Sequence, residues 1–252
     1  MDIIFFIVIG GLWGSFANVC IYRLPINKNI AFGRSFCTNC KKKIAWFDNI
    51  PVLSYLILRS KCRNCKKKIS FQYFLVELLG ILNFTVIYLL FGITLTTILL
   101  IILSLAFLII FFIDLRHYII PNSITYPMMI LGFIKSFDPN LNSIFPNYIN
   151  SLIGGIFGYA MIWSIIYFYK QIKKKDGMGL GDAKLFAVIG FWFGWISIPF
   201  IIFLSSIIAL IYVLPGLLKN SKKMSSQIPF GPFIIIGTIF YLVFQDNFVQ
   251  LL

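Results

Sequence analysis

Residues 78–113 and 185–218 each run without a single Asp, Glu, Lys, Arg or His, and each is longer than the roughly 20 residues that one helix needs to cross a bilayer. Within hydrocarbon every backbone N–H and C=O must find its partner inside the chain, so runs of this kind fold as α-helices. Composition agrees: 60% of residues are hydrophobic and 12% charged, with a mean hydropathy of +0.92, well outside the soluble range. The uncharged runs place spans near 3–22, 72–92, 95–113, 119–134, 149–169, 183–198, 200–218 and 230–250. The two long runs are split at Gly92-Ile-Thr and at Ser197-Ile-Pro199. The expected fold is an all-α polytopic transmembrane bundle of about eight spans. Met1-Asp2 leads into the first run without a basic segment or a small-residue cleavage site, so that run is expected to stay as a span.

Short loops rich in Lys and Arg stay on the cytoplasmic side. With eight spans and an outside N-terminus, all of the 22 basic residues except Lys135 fall inside. The net charge of +14 then reflects the anionic inner leaflet, and no nucleic-acid partner is expected. The expected organisation is a first transmembrane helix over 1–22, a cytoplasmic insertion over 23–70 and a transmembrane bundle over 71–252.

The insertion carries Cys37-Thr-Asn-Cys40 and Cys62-Arg-Asn-Cys65. Each C-x-x-C chelates from one tight turn, and two such turns supply a closed tetrahedral thiolate set for Zn²⁺, although the 21 residues between Cys40 and Cys62 slightly exceed the common zinc-ribbon interval. A segment this short lacks the core to fold alone, so the metal would supply much of its stability. Lysines on both sides favour thiolates and offset the negative centre. The competing reading is a pair of disulfides, which a reducing cytoplasm opposes. Four cysteines leave no open coordination position, so the metal is expected to be structural. Cys20, alone in the first span, reads as a small packing residue.

Two acidic residues each end or begin an apolar run, Asp114 in Phe-Phe-Ile-Asp114-Leu-Arg-His and Asp182 in Gly179-Leu-Gly-Asp182-Ala-Lys. A carboxylate beside hydrocarbon is costly and marks a site by default. The expected topology puts both at the cytoplasmic boundary, where they can meet. Two carboxylates sharing one proton form the aspartic-protease arrangement, one holding the proton while the other takes one from water. Glycines 177, 179 and 181 let that backbone press against a substrate or a partner helix. The competing readings are a helix N-cap for Asp182 and an interfacial pairing with Arg116 or a lysine for Asp114. His117 reads as interfacial. Glu77, over one turn inside the second span, is a site candidate or a protonated carboxyl bonded to a neighbouring helix.

Taken together, Gly14-Ser-Phe-Ala-Asn18-Val, Arg23-Leu-Pro25, the two cysteine pairs, Asp48-Asn-Ile-Pro51-Val-Leu-Ser-Tyr55 and Val76-Glu77-Leu resemble the bacterial prepilin peptidases. Ile113-Asp114-Leu, Ile120-Pro121-Asn122, Gly177-Met-Gly179-Leu-Gly181-Asp182-Ala-Lys184-Leu and Ile228-Pro-Phe-Gly231-Pro-Phe follow in that family's order. The resemblance implies a membrane aspartic protease of the bacterial inner membrane with Asp114 and Asp182 as its dyad. Such an enzyme removes the basic leader of type IV prepilin or pseudopilin precursors, cutting after glycine at the cytoplasmic face. Retention of all four cysteines implies a second activity, S-adenosylmethionine-dependent methylation of the new N-terminal amine. The residues that hold the methyl donor do not follow from the resemblance, and Glu77 stays unassigned.

Two other classes stand beside this reading. An ion transporter would relay through Glu77, Asp114 and Asp182 with the cysteine loop as metal sensor, but transport calls for ionisable groups near the midplane and often an internal repeat. A structural assembly protein of the envelope would show no activity towards a pilin-like peptide.

Overall fold

A first helix, α1 (Asp2–Arg23), carries Gly10 and Gly14 one turn apart, and the computed structural model shows what they are for. They face Gly80 and Glu77 of α3 (Phe71–Phe91), where a methyl group on Gly14 would lie 2.8 Å from the Glu77 Cα, and one on Gly80 would lie 2.6 Å from the Gly10 carbonyl oxygen. Small residues at this spacing let two backbones meet, which is how helices associate where lipid removes the hydrophobic drive between them. Between α1 and α3 lie the cysteine insertion and a short helix, α2 (Leu53–Ile57). Gly92, at φ +62°, ends α3, and α4 (Leu95–His117) follows at once. The expected break at Gly92-Ile-Thr is thus where the chain turns.

After α4 come α5 (Asn122–Lys135), α6 (Tyr148–Lys173), α7 (Leu180–Phe193), α8 (Ser197–Leu218) and α9 (Gly231–Val249). The structure describes residues 2–31, 33–142, 144–174, 177–218 and 228–249; the basic cluster from Lys219 to Lys223 lies outside them. The chain divides into two compact units, Met1–Ile109 and Ile110–Leu252. Within the second unit, α6 and α7 repeat the device of the first pair: Gly154 and Gly158 of α6 face Gly190 and the Phe186 carbonyl of α7. The Trp192 side chain is fully buried and its indole N–H donates to the Met128 carbonyl at 2.8 Å.

The all-α membrane fold is as expected, but the span count of eight is not upheld. Among the described residues five helices are long and apolar enough to cross a membrane: Asp2–Ile26, Phe71–Phe91, Leu95–His117, Tyr148–Lys173 and Ser197–Pro215. Helices α5 and α7, of 14 residues each, reach only ~21 Å at 1.5 Å per residue, short of the roughly 30 Å of hydrocarbon. Pro121, in extended conformation at the N-cap, sets the late start of α5. Gly194, at φ +80°, stops α7, so the break in the second long run falls before Ser197 and not at Ser197-Ile-Pro199. Pro199 instead sits in the first turn of α8, where its missing N–H costs nothing. Lys135, the one exception in the charge pattern, is buried: its ammonium donates to the Trp192 carbonyl at 3.2 Å and lies 3.9 Å from the Phe145 ring centroid. It supplies a hydrogen-bond donor to the carbonyl end of α7.

Candidate functional site

The two glycine turns flanking α7 decide where Asp182 lies. Gly179 is the N-cap of α7 and Asp182 occupies the third position of the first turn, from which its carboxylate reaches back to accept the Gly179 N–H at 3.3 Å. This is the acidic half of a capping box. The N-cap is therefore Gly179 and not Asp182, whose carboxylate caps from the third position inside the helix. Gly181 packs on the α4–α5 connection, where a methyl group on it would lie 3.0 Å from Ile120 Cβ. Lys184 fastens the same connection by donating to the Asn122 side-chain oxygen at 2.7 Å. Gly177 lies against the Tyr169 ring, whereas Gly179 is open, its nearest would-be neighbour being Asp182 Oδ2 at 3.7 Å. Of the three glycines two serve packing, and Gly179 leaves clear backbone beside a carboxylate.

Asp114, near the end of α4, accepts the Gly231 N–H at 2.9 Å in a buried hydrogen bond. Gly231 is the first residue of α9, and the proline after it has no N–H, so this donor is one of the few that the helix start offers. Each carboxylate thus sits at the positive end of a helix, Asp182 at that of α7 and Asp114 at that of α9. Both are buried, 7% and 5% exposed, and the charge of Asp114 acts on Asp182. The structure brings the two together within the second unit. Arg116 and His117, by contrast, are exposed. Gly231 is a residue whose part the sequence reading did not assign, although Pro-Phe-Gly-Pro-Phe in an otherwise apolar stretch was its signal.

The four insertion cysteines form one half-buried cluster whose sulfur atoms all lie within 4.8 Å of one another. Two turns of the same design carry them. In the first, Cys37 N–H donates to the Lys42 carbonyl and Lys41 N–H to the Cys37 carbonyl, both at 2.9 Å; in the second, Cys62, Lys67 and Lys66 repeat the pattern at the same distances. Lys41 and Lys66, at φ +60° and +57°, occupy equivalent places. A tetrahedral centre with Zn–S bonds of about 2.3 Å separates its sulfurs by about 3.8 Å, and Cys37 Sγ lies 3.9 Å from Cys65 Sγ. That is nearly twice an S–S bond of about 2.0 Å, so the donor set fits a metal. Hydrogen bonds from the Lys67 backbone and then the Asn39 amide pull the Cys65 thiol down to about 6, whereas its sulfur neighbours help push the Cys40 thiol up to about 11, so the four crowded thiols share their charge unequally. Arg63 donates to both Asp48 oxygens, at 2.8 and 2.6 Å, and holds that carboxyl below its usual range while tying the second turn to the segment between the pairs. Cys20 is buried in α1, as a packing residue is.

Glu77, on α3, accepts the Val52 N–H at 2.7 Å. Val52 has φ +64° and ψ −51°, and Leu53 N–H closes a three-residue turn on the Pro51 carbonyl at 2.6 Å. A β-branched residue there is strained, and such strain concentrates at ligand sites and clamps.

The sequence matches the Bacterial Peptidase A24 N-terminal domain over residues 8–91 and the Type IV leader peptidase family over residues 100–214. It is 38% identical to the prepilin leader peptidase/N-methyltransferase of Vibrio cholerae, over 96% of this chain and 96% of that protein. It is 33% identical to that of Stutzerimonas stutzeri, over 96% and 90%, and 32% identical to that of Aeromonas salmonicida, over 94% and 89%. No solved structure matches.

Proposed function

Because this chain belongs to the type IV leader peptidase family, we propose that it is a membrane aspartic endopeptidase and N-methyltransferase of prepilin-like precursors, with Asp114 and Asp182 as the catalytic pair. The observation that carries the peptidase half is the meeting of two buried aspartates, each at a helix start, beside the open backbone of Gly179. One carboxylate takes a proton from water, whose oxygen attacks the scissile carbonyl carbon. The other gives its proton to the carbonyl oxygen; the first then passes the proton it took from water to the amine that leaves as the C–N bond breaks, and the second recovers its own from the collapsing intermediate's hydroxyl. The Gly231 and Gly179 N–H groups hold the carboxylates in place through this exchange.

A precursor with a basic leader and an apolar helix lies with its helix in lipid and its cleavage site, after glycine, at the inner boundary. The basic insertion favours the cytoplasmic side, and we assign the pair to that face of the inner membrane. The transporter reading has no support in the relatives. The insertion 23–70 serves the methyl transfer and the bundle 71–252 the cleavage. Cys37, Cys40, Cys62 and Cys65 hold one structural Zn²⁺, which ties the insertion together and does no chemistry of its own. S-adenosylmethionine, when bound, supplies a methyl group on a sulfonium, a good leaving group for attack by the freed amine.

Two measurements test the reading. A pilin-like precursor coexpressed with the protein is expected to lose its leader at a single site and to gain one methyl on the new N-terminus, both read by mass spectrometry. An intact precursor, or cleavage at scattered positions, overturns it. Gly231→Ala is the second: its methyl group would lie 2.8 Å from Asp114 Oδ2. The carboxylate must shift to relieve that contact, and a misplacement approaching about 1 Å costs up to about 10²-fold in cleavage rate while the protein accumulates in the membrane as before. Wild-type turnover by this variant would show that Gly231 does not position Asp114.

A further inference from the structure

One cavity, wholly within the first unit, is not used by the cleavage reaction. It lies where α1 and α3 meet the two cysteine turns and encloses about 600 Å³, within the roughly 300–1,000 Å³ of small-molecule sites. Its polar groups ask for a particular kind of ligand. Asn18 is 5% exposed; its amide N–H donates to the Tyr73 carbonyl at 3.0 Å, but its Oδ1 is buried with no hydrogen-bond partner. Nearly all buried acceptors are satisfied, so an orphan in a cavity wall points to a donor supplied from within the cavity. Glu77 and Asp48 add carboxylates to the lining. The strained Val52 turn fixes one oxygen of Glu77, and the Ser15 side chain, also in the lining, bonds the same carboxyl. Tyr22, Tyr55 and Tyr73 supply flat aromatic walls, and the rim carries lysines of both cysteine turns.

We propose that this cavity is the S-adenosylmethionine site, with Asn18 Oδ1 and Glu77 accepting hydrogen bonds from the ligand. The assignment rests on the methyltransferase reading above. S-adenosylmethionine matches the lining part by part. Its adenine amine and ribose hydroxyls are donors for buried acceptors. Its flat base and its sulfonium cation suit tyrosine faces, and its carboxylate suits the lysine rim. The cleaved substrate's amine alone would satisfy one acceptor and leave most of the cavity unfilled. Cys37 and Cys62 belong to the same lining, so the metal cluster forms part of the wall, which gives a physical reason for the cysteine insertion to accompany methylation.

The test uses the full chain in lipid nanodiscs and radiolabelled S-adenosylmethionine. Equilibrium dialysis is expected to give one ligand per chain, displaced by S-adenosylhomocysteine. Ultraviolet crosslinking of the wild-type complex is expected to label peptides within residues 15–77. Asn18→Leu and Glu77→Gln should each weaken binding about tenfold or more, the loss expected for a buried hydrogen bond to a charged or donor-rich ligand. Thermal stability separates this from a structural role: Leu at position 18 removes the unpaired acceptor together with the bond to the Tyr73 carbonyl, two effects of opposite sign that should leave Tm little changed, and Gln at position 77 keeps an acceptor for the Val52 N–H. Wild-type affinity in both variants, or label confined to residues 110–218, overturns the site while leaving the methyltransferase reading intact if the protein still adds a methyl. A wild-type protein that takes up no S-adenosylmethionine and adds no methyl overturns both.

Discussion

Asp114→Asn and Asp182→Asn are each expected to yield a protein that inserts in the membrane, retains its helices and cuts no detectable precursor. Asparagine keeps the side-chain oxygen that accepts from Gly231 or Gly179, so the local fold has little reason to change. What it removes is the ability to take up and return a proton. Proton transfer by a positioned group contributes about 10²- to 10⁴-fold, or about 3 to 5 kcal/mol of barrier at 1.36 kcal/mol per tenfold, and neither partner replaces the other because the two play opposite roles. The double substitution should be little worse than either single one, since residues that act as a unit do not add. The check is precursor processing in membranes with the amount of each variant measured in parallel. Substantial processing by either single variant removes the dyad from the mechanism.

The second large effect is expected at the metal. Cys40→Ser should empty the site, open the insertion to proteolysis between the two cysteine turns and abolish the methyl increment on processed substrate. Structural zinc in small modules supplies about 10–16 kcal/mol of apparent binding energy, as much as the whole stability of a typical domain, about 5–15 kcal/mol. The insertion has little to set against that loss: the sides of the two turns touch through isolated bridges, Phe36 with Lys43 and Lys61 with Lys68, and Trp46 and Ile57 are largely exposed. Elemental analysis should read one zinc per wild-type chain and none in the variant. A wild-type protein purified without metal that resists protease and methylates normally would exclude a structural zinc.

Much of this architecture can be read from short-range pattern. The uncharged runs mark α1, α3, α4, α6 and α8 because lipid leaves an apolar segment one way to satisfy its backbone. The cysteine turns are legible because a C-x-x-C loop is a local object. Where helices stop is harder to read: Gly194 and Pro199 stand five residues apart in one apolar run, and only the backbone angle at Gly194 shows that the glycine breaks the chain while the proline opens the next helix. Asp114 and Asp182 are each visible, but their meeting depends on how α7 packs. Gly231 escapes sequence reading because its partner lies 117 residues away. Asn18 escapes it for another reason: an amide in an apolar helix looks the same whether or not its oxygen is satisfied.

The duplicated cysteine turns clamp the stretch between Cys40 and Cys62 at both feet, so that with metal bound its 21 residues form an arch with Val52 near the crown. Closing a loop of that order restricts the unfolded chain by roughly 3 kcal/mol, enough to hold a reluctant valine in its turn. Unlike a covalent staple, a thiolate clamp answers to metal supply. A cell short of zinc would slacken the arch, loosen its grip on Glu77 and silence amine capping, while leader removal, built on α4, α7 and α9, would go on.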